Sequence, residues 1–165
     1  MEEIILLSDN EITSSTPLGG NIDVDKYRFC IIDAQNSKLE EVLGENLFNK
    51  ILADFQAETL TGNYEVLFSK YIKPFLIHQS ALEYILCAAY MVDNGGIYRH
   101  TPQNGQPADK TEVDFIANNQ RNKAEMYCNR MEKWLCKNKS SIPEFKYNDQ
   151  NIVNPKPQTN GPWYF

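Results

Sequence analysis

Histidine is scarce in this chain. Only His78 and His100 occur in 165 residues, and Cys30, Cys87, Cys128 and Cys136 form no CxxC or Cys–His pattern. A zinc site would have to gather carboxylates or cysteines from distant segments. Also missing are GxGxxG, a P-loop, HExxH and GxSxG, the signatures of dinucleotide, nucleotide, metallopeptidase and serine-hydrolase chemistry. The adjacent carboxylates Glu40 and Glu41 point to different faces of a helix, so they are not poised to share a proton. The expectation is a protein that is not an enzyme and carries no cofactor and no metal.

Long apolar runs are absent too, and no stretch approaches the length that spans a bilayer, so no membrane partner is expected. Glu2 and Glu3 follow Met1, which leaves no basic n-region and hence no expected secretory signal. Three of the four cysteines sit among apolar residues in helical stretches, where a reduced thiol acts as a small hydrophobe. Synthesis in a reducing cytoplasm is expected. A concentrated basic face of the kind that grips nucleic-acid phosphates is missing as well. Residues 1–60 hold twelve Asp and Glu against four Lys and Arg, while residues 61–165 hold ten against twelve. The formal charge of -6 therefore belongs to the N-terminal third.

What remains is an ordinary globular composition, 42% apolar and 23% charged, in a length that suits one domain. The first twenty residues, with the short run Ile4 to Leu7 and then turn-rich sequence, read as an extended arm able to hold a short strand. Asn21 is placed to cap a helix that carries Val24, Tyr27, Ile31 and Ala34 on one side and stops at Gly44. "ENLFNKILADFQA" is strongly amphipathic through Leu47, Phe48, Ile51, Leu52 and Phe55. Asn63 then caps a long helix predicted from about Tyr64 to Asp93, with Pro74 inside it imposing a kink or a break near Lys73. A last helix is predicted to about Lys137, capped by Asp109 with Glu112 or by Thr111 with Asp114. On it Phe115, Ile116, Tyr127, Met131, Trp134 and Leu135 read as core, and Asn119 and Asn122 fall close to the seam.

The predicted fold class is mainly α: a four- to five-helix bundle with a long kinked central helix, an extended N-terminal arm and an extended C-terminal tail. Its parts are the arm 1–20, the helical domain 21–138 containing an interaction loop 94–109, and a docking tail 139–165. The tail holds Pro143, Pro155, Pro157 and Pro162, which favour an extended or polyproline conformation that loses little entropy on docking. It closes on Trp163, Tyr164 and Phe165, residue types that anchor interfaces, and these either dock on a partner or fold back over the chain's own core. In the loop, Ile97, Tyr98, Arg99 and His100 combine contact area with charged hydrogen bonding. Asn119 and Asn122 suit either a solvated groove or a subunit interface whose hydrogen bonds set register. His78 reads as a core histidine bonded to a carbonyl freed by the Pro74 kink.

The order "NIDVDKYRFCIIDAQNSKLEEVLGENLFNKILADF", "YEVLFSKYIKPFLIHQSALEYIL", "NGGIYRHT" and "EMYCNRMEKWL" resembles the head-to-tail connector, or adaptor, proteins of tailed bacteriophages over roughly residues 20–137. The resemblance implies a structural virion protein at the head–tail junction. It further implies a homo-oligomeric ring, commonly twelve-fold in that family, bound to a portal protein and to tail or other ring proteins. DNA would pass through the lumen without specific binding, for which an acidic N-terminal third is suited. The alternative reading is a small cytoplasmic protein-binding module that docks one partner through its aromatic tail.

Overall fold

The computed structural model describes residues 4–18, 24–88, 90–93, 96–99 and 109–145. The architecture is mainly α, a helical bundle with a long central helix and a small β-hairpin. The N-terminal segment departs from the predicted extended arm, because α1 occupies Asp9–Ser15. Ser8 opens it: the Ser8 N–H donates to Glu11 Oε2 at 2.9 Å, satisfying a donor at the helix start. Leu6, Leu7 and Ile12 of this segment are buried in the core.

The second region runs as α2 (Val24–Asp33), a π-helical stretch Ala34–Leu39 and α3 (Glu40–Leu43). Asn21, its expected cap, lies outside the described residues. Gly44 ends α3 at φ 75, a left-handed conformation that a residue with a Cβ resists, and α4 (Glu45–Gln56) begins immediately after it. Leu47, Phe48 and Ile51 of α4 are buried as the apolar periodicity requires.

The π-helical stretch has a structural use. It carries Gln35, which is buried and whose amide holds the N-terminal segment like a neighbouring peptide unit. Leu6 N–H donates to Gln35 Oε1 at 3.0 Å, and Gln35 Nε2 donates to Ile4 O at 2.9 Å. Lys73 adds a 2.6 Å ion pair to Glu11. Burial pushes the Glu11 carboxyl upward, but the bonds from Lys73 and Ser8 outweigh it and hold the group below the usual range.

The central helix starts at α5 (Gly62–Leu67), capped by Thr61 rather than Asn63, passes through a π-helical turn Phe68–Ile72, and continues as α6 (Lys73–Ala88). Pro74 has no N–H to give to the preceding turn. The chain does not break there; the π-helical turn directly before Lys73 absorbs the mismatch. The helix ends at Ala88, short of the predicted Asp93. Tyr90–Asp93 (β1) instead pairs antiparallel with Gly96–Arg99 (β2), Met91 opposite Tyr98 and Val92 opposite Ile97. The sequence between them is Asn-Gly, the dipeptide favoured in two-residue hairpins. Part of the expected loop 94–109 is therefore strand.

The last helix, α7 (Lys110–Asn138), matches the prediction closely. Asp109 Oδ1 accepts from Glu112 N–H at 2.8 Å, while Asp109 N–H donates to Glu112 Oε2 at 3.0 Å. Helix α7 runs antiparallel to α6, since Trp134 meets Tyr71, Gln120 meets His78, and Ala117 meets Leu82 and Ile85. Lys139–Ser141 form a short 3-10 turn, and Ile142 and Phe145 return to the core. The start of the expected tail is thus anchored; residues 146–165 lie outside the described residues.

Replacing Gln35 with Leu leaves the buried Leu6 N–H without its acceptor, a loss of about 2 kcal/mol. The expected outcome is a lowered urea midpoint together with fast amide exchange at Leu6, Leu7 and Ile12. Unchanged protection there would show that the arm is held by its apolar side chains alone.

Candidate interaction surface

Helix α7 presents two opposite faces. Its inner face is Ala117, Gln120, Ala124, Met131 and Leu135, all buried. The two alanines let α7 lie close to α6, and they carry little weight in an apolar pattern. This is why Phe115 and Ile116, expected in the core, prove to be 74% and 40% exposed. Asn119 and Asn122 are likewise not at the seam but on the exposed outer face. Phe115, Asn119, Asn122 and Met126, spaced four, three and four residues apart, stack along that face, and Met126 is 46% exposed.

The polar residue inside the seam is Gln120. His78, buried opposite it on α6, donates from Nδ1 to Gln120 Oε1 at 2.9 Å and stacks on Tyr127 with ring centroids 5.6 Å apart. The expected partner, a carbonyl released by Pro74, is not the one used. Gln120 Nε2, Ser80 Oγ and the Tyr27 hydroxyl are buried and have no hydrogen-bond partner among the described residues. Burial lowers the His78 pKa, the Gln120 bond partly opposes this, and nearby Lys123 lowers it further. The imidazole is therefore neutral near pH 7. The thiols of Cys30 and Cys128 are also held uncharged: burial first, with neighbouring acidic groups, pushes each up to about 12. Such thiols are poor nucleophiles. Among the described residues, no group of three or more His, Cys, Asp or Glu is placed to hold a metal ion. No helix among them is long and apolar enough to cross a membrane.

The remaining expected contact residues divide by position. Ile97, Tyr98 and Arg99 lie on β2, which follows α6 and so stands at the end of the bundle where α7 begins. Leu86, near the end of α6, is 44% exposed, and Phe115 and Ile116 belong to the first turns of α7 at that same end. His100 and Trp163, Tyr164 and Phe165 lie outside the described residues. The chain leaves the described core from the opposite end. There Tyr64 donates its hydroxyl to Glu144 Oε2 at 2.5 Å, and Lys50 sits 4.9 Å from the Tyr64 ring centroid. Twenty-nine helical residues, roughly 43 Å at about 1.5 Å per residue, separate the two ends.

Because His78 is harder to protonate in the fold than in the open chain, its contribution to stability is complete above about pH 6.5 and is lost as pH falls toward the folded-state pKa. His78→Asn keeps a donor near the Nδ1 position and removes the titration. The wild-type unfolding free energy should decline between pH 7 and 5 more steeply than that of the variant; parallel curves would assign the decline to other groups.

Comparison with curated proteins and with solved structures returns no match. A family model matches residues 39–155, from the end of the first π-helical stretch through α7 and beyond. That match covers more than half of the chain, which therefore belongs to the family of unknown function DUF6712.

Proposed function

We propose that this protein is a structural adaptor of a tailed-phage virion, a subunit of a homo-oligomeric ring that joins portal to tail. The observation that carries the proposal is the two-ended build of the molecule. A hairpin bearing Ile97, Tyr98 and Arg99, beside the exposed Leu86 and Ile116, stands at one end of α7. Phe145, after which the sequence continues to Trp163, Tyr164 and Phe165, is buried at the other end. An adaptor must touch a different protein above and below itself, and exposed apolar groups such as Leu86 and Ile116 suit such contacts.

The charge distribution fits the same role. Ten of the acidic residues beyond position 3 and before position 60 would face passing DNA with repulsion or indifference rather than grip. The role calls for no catalysis and no cofactor, and it places the protein in the virion after synthesis in the host cytoplasm.

The deciding measurement is the mass of the full chain, alone and mixed with portal protein, beside a truncation ending at Asn154. With portal the full chain should assemble into a closed ring, and the truncation should assemble less completely. A full chain that ignored portal would sink the adaptor reading and leave a protein-binding module that docks through its aromatic tail. Equal assembly of both chains would keep the adaptor and remove the tail from ring formation.

A further inference from the structure

A row of rings lies along the seam between the central helix and α7. Trp134 meets Tyr71 with ring centroids 5.4 Å apart, and Tyr127 stacks on His78 at 5.6 Å. Arg130 joins the two pairs, its guanidinium 5.8 Å from the Tyr71 centroid and 5.5 Å from that of Tyr127. Tyr71, Tyr127 and Trp134 are all half-buried, so each keeps some of its surface toward solvent. Arg130 is exposed and makes no ion pair among the described residues. Trp134 Nε1 and the hydroxyls of Tyr71 and Tyr127 likewise have no hydrogen-bond partner among them. Single exposed rings are ordinary, but a connected row that also presents donors has the makeup of a binding surface.

We infer that this row seats a stretch of the chain itself, Asn154-Pro155-Lys156-Pro157, laid along Tyr71, Tyr127 and Trp134 in polyproline form. Pro155 and Pro157 fix their own φ, and Asn154 and Lys156, each preceding a proline, are held extended. A polyproline stretch bonds none of its own carbonyls, which leaves them for the tyrosine hydroxyls, the indole N–H and Arg130 to meet. Seating of such a stretch on aromatic side chains is a recurring mode of peptide recognition, because little conformational entropy is lost.

The reach and charge of the intervening chain select this occupant. Ten residues lead from the buried Phe145 to Pro155 and span about 31 Å at about 3.1 Å each. Arg130 is eight residues, about 12 Å, from the end of α7 at Asn138. Exposed Lys133 and Lys137 continue the Arg130 flank of α7 toward that end, whereas Asp149 is the one charged residue from Tyr147 to Pro155. The family match runs past Phe145 as far as Pro155, so the segment leading to the row is part of the family's common unit. A tethered segment has an effective concentration on the order of millimolar, and a similar segment on a separate chain competes poorly with it. Trp163, Tyr164 and Phe165 lie beyond the seated stretch and are left for other contacts. The inference does not rest on the adaptor reading, and its test needs no portal.

Trp163→Phe makes Trp134 the single tryptophan, and quenching of its fluorescence by acrylamide reads whether the row is covered. In that background Pro155→Gly/Pro157→Gly should raise the Stern–Volmer constant about twofold while the circular dichroism spectrum stays the same. Truncation after Asn154 should reproduce the rise. An unchanged constant in both chains would overturn the proposal. So would a rise that appeared only when residues 146–153 were removed as well, since Ile152 and Val153 would then be the cover. For the tail with both prolines the constant should be the same at roughly 1 and 100 µM protein. Quenching that grew on dilution would mean that the tail of another copy covers the row, and would overturn seating within one chain.

Discussion

From Phe75 to Leu82 helix α6 is buried on every side, and such a stretch has to be covered all round. The rest of the bundle is arranged to do so: α7 lies along one face, α2 along another, and the small α1 closes a third. The N-terminal segment, which looks dispensable in isolation, is therefore part of the core through Leu6, Leu7 and Ile12. Two of the buried polar side chains are matched within the interior. His78 is matched by Gln120, and Gln35 is matched by the backbone of Ile4 and Leu6. A neutral imidazole and an amide are the least costly polar groups to place in such a setting, provided that each bonds to something.

Proline and glycine do different work where each meets a departure from regular helix. Gly44 stops α3 and lets α4 start in another direction, a job set by its positive φ. Pro74 forces an accommodation without a stop, and the helix widens to π geometry just before it. The first π-helical stretch, Ala34–Leu39, has no proline to account for it. There the widened turn coincides with the residue that clamps the N-terminal segment, Gln35. One insertion in the helical ladder solves a backbone problem, and the other accompanies a tertiary one.

Much of the bundle was legible in the pattern of apolar residues and caps. The Asp109–Glu112 cap, the amphipathic face of α4 and the Gly44 stop rely on local chemistry, and local chemistry is written in consecutive residues. The misreadings share a cause. Phe115 and Ile116 read as core in the sequence, yet the space beside α6 is taken by Ala117 and Ala124, whose small size permits close approach. The same phase puts Asn119 and Asn122 at the seam, whereas the amide that lies there is Gln120. The hairpin was hidden because Tyr90 to Asp93 continue the apolar character of α6; the signal that could have revealed it was Asn94-Gly95 followed by Gly96, Ile97 and Tyr98. Helix α1 was concealed in polar sequence, and only the Ser8–Glu11 spacing announced it.

The three long helical passages differ in stiffness. Two of them contain π-helical turns, at Ala34–Leu39 and Phe68–Ile72, whereas α7 runs for twenty-nine residues with neither proline nor glycine. It is pinned at one end by the Asp109–Glu112 cap and at the other by Ile142, Phe145 and the Tyr64–Glu144 bond. Mechanically, α7 is a strut and its neighbours are springs. A load applied at the hairpin end travels along α7 as compression to the Glu144 end with little shortening, while any bending is taken up in the widened turns of the other two.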